Sequence, residues 1–159
     1  MPFSCEFAND ITIGGYSIKN CKKGHLSVWI LSNSGKLFFR NNVSFLNPEG
    51  DKWEEVLLPN NYRGLSISCD ELGNLWLVTT SGNVLHRTNV NSEALYGTDW
   101  VEIDNEDHTF AKISCNSKFV YVLDYSGFVY LRNTEENKWA RVLKGLCNIS
   151  VSLSNKVFK

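Results

Sequence analysis

One pattern of residues occurs three times in this chain, and it constrains the fold more than any other feature. Each copy contains an aromatic residue in a β-rich run, then a Ser-Gly turn, then a Trp that opens a short Trp-x-x-Val/Ile segment. The aromatic positions are spaced by 47 and 45 residues, as are the turn glycines, and the later tryptophans by 47 and 39. These anchors are Trp29, Trp76 and Tyr121; Gly35, Gly82 and Gly127; and Trp53, Trp100 and Trp139. A period in this range is typical of stacked supersecondary units.

Each copy contains short runs of strand-forming residues and no helical periodicity. A Ser-Gly turn separates two β-rich runs in every copy, and glycine supplies the positive φ that such hairpin turns require. The paired runs are residues 27–31 and 36–39, 75–78 and 84–86, and 120–123 and 129–131. The Trp-x-x-Val/Ile strand follows, and a further strand leads into the next copy at residues 64–70, 110–116 and 145–152. The pattern predicts four strands in each unit.

The hairpin strands are apolar on both faces, as residues 75–78 and 120–123 show. An antiparallel sheet normally exposes one face to water, so apolar residues on both faces require another sheet above and below. Four-stranded sheets packed between copies of themselves are the blades of a β-propeller. A flat sandwich of two sheets is the alternative, but it would not explain the repeat. The sequence therefore predicts an all-β fold, a partial β-propeller of four-stranded antiparallel blades.

Residues 16–159 are assigned to one domain with three blades and the start of a fourth, beginning with a weak strand at residues 16–21. Residues 1–15 are either an N-terminal segment of uncertain role or the end of a preceding blade. Closed propellers have roughly four to eight blades. We therefore expect the chain to be a fragment of a larger ring.

Charge and cysteine content bound the function. Lys and Arg total 16 against 17 Asp and Glu, a net charge of -1, so no nucleic-acid partner is expected. The N-terminus lacks the basic start and the apolar run of about 7 or more residues that a signal peptide needs. The five cysteines are an odd number without a CxxC pair, and Cys69 and Cys115 fall at the same repeat position as equivalent core residues. These features favour a reduced, cytoplasmic chain.

No motif in the sequence indicates catalysis or a bound cofactor. His25, His86 and His108 share no spacing and lie near no cluster of ligand-type residues, so neither a metal nor another cofactor is expected. Nucleophile elbows, phosphate loops and paired carboxylates do not occur. The sequence therefore predicts a protein that is not an enzyme.

The repeat resembles that of the tectonin β-propeller family. The resemblance is carried by IS(C/V), then (L/V)(W/Y), then SG-N-V-x-x-R-T, then W-x-x-V/I, and it covers about residues 16–159. Residues 67–90 with residues 97–103 match this pattern best. The outer copies depart from it, since Tyr121 and Phe158 replace the Trp that Trp29 retains.

The resemblance implies a binding module of one of two kinds. Intracellular members of the family are scaffolds in autophagy and in endosomal or lysosomal membrane traffic, where they bind autophagy proteins and membranes. Secreted members are lectins of innate defence that bind glycans. The missing signal peptide and the odd cysteine count favour the intracellular kind, cytoplasmic and peripheral on autophagosomal or lysosomal membranes, over a secreted lectin. A purely structural propeller segment is the third alternative.

The recurring Trp-x-x-Val/Ile segment has two interpretations. Around Trp53 and Trp100 it is acidic, and it resembles the motif that docks as an added strand on ubiquitin-like autophagy modifiers. A residue set that recurs in every unit, however, is expected to build the blade, where Trp buries a large apolar area. Blade architecture is the favoured interpretation for these tryptophans, as for the inner aromatic residues and the turn glycines.

Arg40, Arg87 and Arg132 recur once per copy and are the candidate ligand-binding or partner-binding residues. Guanidinium groups at equivalent positions could bind sulfate, phosphate or glycan carboxylates bidentately. Alternatively, each Arg pins the loop that follows it to backbone carbonyls or to an acidic side chain. Function is expected in the loops that differ between copies, residues 42–52 and 89–99.

Overall fold

The computed structural model describes residues 8–133, 135, 137–151 and 157–158, and these residues form an all-β fold. The first sheet contains β1 (Ala8–Gly14), β2 (Ser27–Ser32), β3 (Leu37–Arg40) and β4 (Trp53–Val56). The second contains β5 (Gly64–Cys69), β6 (Leu75–Thr79), β7 (Val84–Thr88) and β8 (Asp99–Ile103). The third contains β9 (Phe110–Cys115), β10 (Phe119–Asp124), β11 (Val129–Asn133) and β12 (Ala140–Leu143). A short 3-10 helix, Pro59–Asn61, precedes the second sheet, and β13 (Ser150–Val151) pairs with β14 (Val157–Phe158).

The strands of each four-stranded sheet lie in chain order and are antiparallel. The register across the central hairpin is the same in all three sheets: Trp29 pairs with Phe39, Trp76 with His86, and Tyr121 with Leu131. The three sheets are therefore the predicted blades, and β13 with β14 begins a fourth. The set of sheets is not closed into a ring, so the predicted partial propeller is confirmed.

The apolar core lies between blades. In β6 every residue is buried, because successive side chains point to opposite neighbours. Leu75 and Leu77 pack with the first blade, in a cluster that includes Trp29 and Phe39. Trp76 packs with the third blade. The prediction that the hairpin strands are covered on both faces is confirmed for residues 75–78 and for residues 120–123, all of which are buried.

The turn glycines are required by both the turn and the neighbouring blade. Gly35, Gly82 and Gly127 have φ values of 81°, 87° and 84°. A Cβ atom on Gly82 would lie 2.5 Å from the Thr109 Cγ2 atom of the next blade. The carbonyl oxygen of each glycine accepts a hydrogen bond from the backbone of the following blade, with N–O distances of 2.8, 3.3 and 3.2 Å. A side chain at these positions would strain the turn and push two blades apart.

Hydroxyl groups link the innermost strands β1, β5, β9 and β13. The backbone N–H of Cys69 donates to Thr12 Oγ1 at 2.9 Å, that of Cys115 to Ser68 Oγ at 3.0 Å, and that of Val151 to Ser114 Oγ at 2.9 Å. Thr12, Ser68 and Ser114 occupy the same position in successive blades. A hydroxyl at this position, from Thr12 in the first blade and from the Ser of the IS(C/V) motif in the next two, thus bonds each of these blades to the one that follows.

The structure differs from the sequence prediction in the first blade. The weak strand expected at residues 16–21 is wrong, and the first sheet instead begins with β1, from the segment whose role the sequence left open. Residues 16–21 turn because Gly15 and Asn20 adopt positive φ, at 69° and 63°. Their backbone bonds to the second blade, where the N–H of Gly15 donates to the carbonyl of Asp70 at 2.8 Å. Residues 15–26 are therefore a long loop and not a strand.

Candidate functional site: the arginine–tryptophan pairs and the rim groove

Each candidate arginine lies over the outer tryptophan of its own blade. The distance from the guanidinium carbon to the ring centroid is 5.3 Å for Arg40 over Trp53, 5.1 Å for Arg87 over Trp100 and 5.5 Å for Arg132 over Trp139. A cation at this distance from an indole face is attracted by the ring quadrupole. The strand register sets the pairing, since Arg40 lies opposite Trp53 and Arg87 opposite Trp100.

The same arginines hold the loops that follow them. Arg40 Nε donates to the carbonyl of Glu49 at 2.7 Å. Arg87 Nε donates to the carbonyl of Tyr96 at 2.8 Å, and its Nη2 donates to that of Gly97 at 3.1 Å. In the third blade, Arg132 Nη2 donates to the side-chain oxygen Oδ1 of Asn137 at 3.2 Å. Arg40 and Arg87 thus hold their loops through backbone carbonyls, whereas Arg132 bonds to a neutral amide oxygen.

Two of the three arginines are buried where blades meet. Trp100 Nε1 donates to the carbonyl of Leu57 in the preceding blade at 2.9 Å, and Trp139 Nε1 donates to that of Asp104 at 2.8 Å. Arg87 and Arg132 lie behind these tryptophans, and desolvation by burial lowers the pKa of each guanidinium below its usual range. Binding of an anion by these groups stays a prediction, and the geometry gives them little open surface for it.

Arg40 differs from the other two because its face of the first blade is covered by no sheet among the residues that the structure describes. It is half-buried, as is Trp53 beneath it. The structure therefore brings each arginine to its own tryptophan and loop, and does not assemble the three into one exposed cluster.

A groove opens at the outer rim between the first and second blades. It has a volume of about 430 Å³. We call it the rim groove, and it is lined by residues 55–59, Arg87, Tyr96 and residues 98–100. Leu57 is 76% exposed there, and Tyr96 and the adjacent Val101 are also exposed. Hydrogen bonds from Thr98 and Asn89 lower the pKa of Asp99 and hold its carboxylate charged at the groove. The groove thus offers aromatic, aliphatic and anionic groups to a ligand.

The histidines do not assemble a metal site. Among the residues described, no group of three His, Cys, Asp or Glu side chains is arranged to hold a metal ion. His86 instead stacks on Trp76, with ring centroids 4.1 Å apart and planes 10° apart, and burial lowers its pKa to about 4. Its Nε2 atom is buried and has no hydrogen-bond partner among the residues that the structure describes. His86 is therefore a neutral, half-buried residue of the second blade.

Sequence reasoning named the loop of residues 42–52 but missed its most exposed residues. Phe45 and Leu46 are 75% and 88% exposed, at the centre of a tight turn from Ser44 to Asn47. Gly, Asn, Asp or Ser normally occupies such positions. An aromatic and an aliphatic residue between two turn-forming residues was the signal that could have identified this tip.

Comparison with known proteins gives matches over parts of the chain. The propeller family Hyd_WA matches residues 27–56. Tectonin beta-propeller repeat-containing protein 1 of Rattus norvegicus is 44% identical over 61 residues, 38% of this chain and 5% of that protein. Tectonin beta-propeller repeat-containing protein of Drosophila melanogaster is 36% identical over 64 residues, 40% of this chain and 5% of that protein. The chain thus matches only about a twentieth of the length of these curated relatives.

Solved structures share the fold at low identity. YCF48 bound to D1 peptide superposes with a TM-score of 0.60 at 16% identity, covering 96% of this chain and 47% of that one. Myxococcus xanthus glutaminyl cyclase gives a TM-score of 0.59 at 13% identity, covering 98% of this chain and 68% of that one. One of these is named for a peptide that it binds and the other for an enzymatic activity, so the shared fold does not select a function.

Proposed function

We propose that this chain, which is built of tectonin-type β-propeller repeats, is part of a non-enzymatic binding module of an intracellular scaffold. The scaffold would act in autophagy or in endosomal or lysosomal membrane traffic, in the cytoplasm or peripherally on autophagosomal or lysosomal membranes. Its partners would be proteins, including autophagy machinery, and membrane lipids.

The observation that carries the proposal is the similarity of the repeat to tectonin β-propeller repeat-containing proteins, at 44% identity in the rat protein. The family resemblance implies the scaffold role. The buried thiols of Cys69 and Cys115 support a reducing compartment. Both occupy the same position in adjacent inner strands, and burial raises the pKa of each thiol.

The rim groove is the proposed partner-binding surface. The outer strands β4 and β8 end their sheets, so their free edges can pair with a strand of a partner. Leu57 and Val101 present apolar side chains beside these edges. Trp100 is held by its bond to Leu57 and by packing against the first blade, so it forms the floor of the groove and is not available as a docking side chain.

Glycan binding, as in a tectonin-type lectin, is the second candidate, and the same groove favours it. Tyr96 provides an exposed aromatic surface, and Asp99 and Thr98 provide hydrogen-bonding groups next to it. Sugars are commonly bound by this combination of a flat apolar surface and a few polar groups. A purely structural segment, with the binding surfaces elsewhere in the protein, is the third.

The test uses the full-length protein that contains this chain. Leu57→Asp with Val101→Asp places two charges at the rim groove and leaves the arginine–tryptophan pairs intact. Tyr125→Asp with Val142→Asp changes two exposed apolar residues of the third blade and is the matched control. Binding is measured to purified ubiquitin-like autophagy modifiers by titration and to glycans on an array.

We expect the groove variant to bind the protein partner about tenfold more weakly or worse, and the control to bind within about twofold of the wild type. Loss of glycan binding, with no protein binding in the wild type, would assign the groove to a lectin instead. If the groove variant bound every partner as the wild type does, this part of the chain would have a purely structural role.

A further inference from the structure

We propose that the first blade docks on an anionic membrane surface through the tip formed by Phe45 and Leu46, with Lys19, Lys22 and Lys23 contacting lipid phosphates. The inference deepens the proposed function and rests on it for the intracellular location. It names the surface by which the scaffold meets a membrane.

The tip is a fixed feature of the blade. Ser44 and Asn47 exchange two backbone hydrogen bonds of 3.1 Å, and the N–H of Asn47 also lies 3.1 Å from the Ser44 hydroxyl. Phe45 and Leu46 are the two central residues of this turn and project into solvent, 75% and 88% exposed. Because the turn is fixed at its base, the pair can insert without the ordering cost that a flexible loop would bear.

The long loop of residues 15–26 braces the tip and carries the positive charge. The N–H of Phe45 donates to the carbonyl of Gly24 at 3.1 Å, and that of Leu26 donates to the carbonyl of Val43 at 3.1 Å. The three exposed lysines lie on this loop, which contains no Asp or Glu. Cationic side chains are thereby held next to an exposed apolar pair.

Two carboxylates share the loop of the tip. Asp51 is engaged, since its two oxygens accept hydrogen bonds from the side-chain amides of Asn42 at 2.7 Å and Asn47 at 3.1 Å. Glu49 is exposed and follows the turn in the chain, after Pro48. Within these two loops the three lysines outnumber the acidic groups, so the charge beside the tip favours an anionic surface. Asp70 and Glu71 of the second blade lie against the start of the lysine-bearing loop, at Gly15 and Ser17.

The second blade shows that the fold does not require apolar residues at this turn. Asn91 and Ala94 exchange the equivalent pair of backbone hydrogen bonds, each 3.2 Å. The central residues of that turn are Ser92 and Glu93, both exposed. The same turn thus accepts polar residues, so the turn itself does not require the apolar pair of the first blade.

A membrane fits this tip better than a pocket in a partner. The loops at this end of the strands also expose Tyr16 and Leu72, so apolar groups extend beyond the tip across the same end of the blades. Shallow insertion of aromatic and aliphatic side chains together with lysine contacts to anionic headgroups is the usual chemistry of peripheral membrane binding.

The proposal is tested by flotation of the full-length protein with vesicles of phosphatidylcholine, alone or mixed with phosphatidylserine. Phe45→Ser with Leu46→Glu copies the turn of the second blade, so the fold should be retained. Hydrogen exchange across all three blades checks this. The matched control is Tyr125→Ser with Val142→Ser, which removes two exposed apolar residues of the third blade that lie outside both the tip and the rim groove.

We expect the tip variant to partition onto mixed vesicles about tenfold more weakly or worse, and the control to partition like the wild type. Replacing Lys19, Lys22 and Lys23 by Ala should weaken binding to the mixed vesicles by at least about tenfold and leave binding to phosphatidylcholine unchanged. Vesicles should protect the amides of residues 42–52 and 15–26 from exchange in the wild type.

Equal vesicle binding by the wild type and the tip variant would overturn the proposal, as would amide protection confined to other regions. If the tip variant no longer bound a purified protein partner but still bound vesicles, the tip would be a binding site for that protein. This result would also overturn the proposal. The rim-groove titration is independent of this outcome, so either proposal can fail while the other stands.

Discussion

In the first blade Trp29 packs edge-on against Phe39, with ring centroids 4.8 Å apart, whereas in the second blade the equivalent Trp76 stacks on His86 at 4.1 Å. The same two blades differ in the turn beyond β3 and β7, which presents Phe45 and Leu46 in one and polar residues in the other. Apart from these two differences, the two blades have the same strand order, hairpin turns and arginine–tryptophan pairs.

The shared frame shows which positions the blade needs. In both blades an arginine lies over the outer tryptophan, and an Asn with positive φ donates its side-chain amide to an Asp across the loop. The inner tryptophans, the arginines and the outer tryptophans keep their residue type, whereas Phe39 gives way to His86 inside the blade and the apolar tip gives way to polar residues at the surface. A residue that recurs is thus explained by packing, and a residue that differs between equivalent positions is a candidate for function.

The largest effect is expected from removing an inner tryptophan. Trp29→Ala and Trp76→Ala should each lower the free energy of opening of their blade by about 3–5 kcal/mol, because each leaves a cavity between two blades. Hydrogen exchange of β2 and β6 peptides in the full-length protein measures this. Val101→Ala, at an exposed site on β8, is the control and should change it by less than about 0.5 kcal/mol. If one variant lowered the free energy of opening by no more than the control does, the two inner tryptophans would not be equivalent in their blades.

A smaller effect, found only in the second blade, is expected from His86. Its pKa is about 4 in the folded chain against 6.5 in the unfolded chain, so the folded state binds its proton less readily. The stability that the neutral ring contributes is therefore complete above about pH 6.5 and is lost as the pH falls toward 4. The loss approaches roughly 3 kcal/mol.

His86→Phe places the residue of the first blade in the second and should remove this part of the pH dependence. The measurement is hydrogen exchange of β6 and β7 peptides at several pH values, after correction for the intrinsic exchange rates. Identical pH profiles for the variant and the wild type would show that the histidine is not the group that titrates. The different partners of Trp29 and Trp76 would then have no effect on the pH dependence of stability.

The sequence sufficed for the blade architecture, and the reason is periodicity. Trp29, Trp76 and Tyr121 recur in phase, and apolar residues on both faces of a hairpin strand require sheets on both sides. The position of the first inner strand was missed, because residues 15–26 separate β1 from β2 where residues 70–74 suffice in the second blade, so β1 lies out of phase with the repeat. Its strand character depends on pairing with β2, which is a tertiary contact.

The candidate site could be predicted only in part. The sequence placed Arg87 next to a variable loop, but it could not show that the guanidinium lies behind Trp100 in a blade interface, because that contact joins residues across a sheet. It also could not show the rim groove, whose lining comes from two blades. Phe45 and Leu46 are different: their exposure follows from local turn chemistry, so closer attention to turn residues would have found them.

The smallest effect on stability is expected at the arginines, where the two blades differ in the burial of the guanidinium. Arg87→Lys should lower the free energy of opening of residues 89–98 by about 1–2 kcal/mol, because lysine can neither cover the indole face nor donate to both loop carbonyls. Arg40→Lys should cost less than about 1 kcal/mol in residues 42–52, since Arg40 is half-buried and water can replace its bond to Glu49. Hydrogen exchange of the two loops measures both, with the exposed Arg63→Lys as control.

An equal loss in the two blades would show that burial between sheets adds nothing to the arginine–tryptophan pair. A loss of ligand binding without any change in loop exchange would instead make these arginines ligand-binding residues. The expected order, Arg87 above Arg40 above Arg63, follows from the burial of each guanidinium and from the number of loop carbonyls that it holds, since all three residues remain cationic after the change.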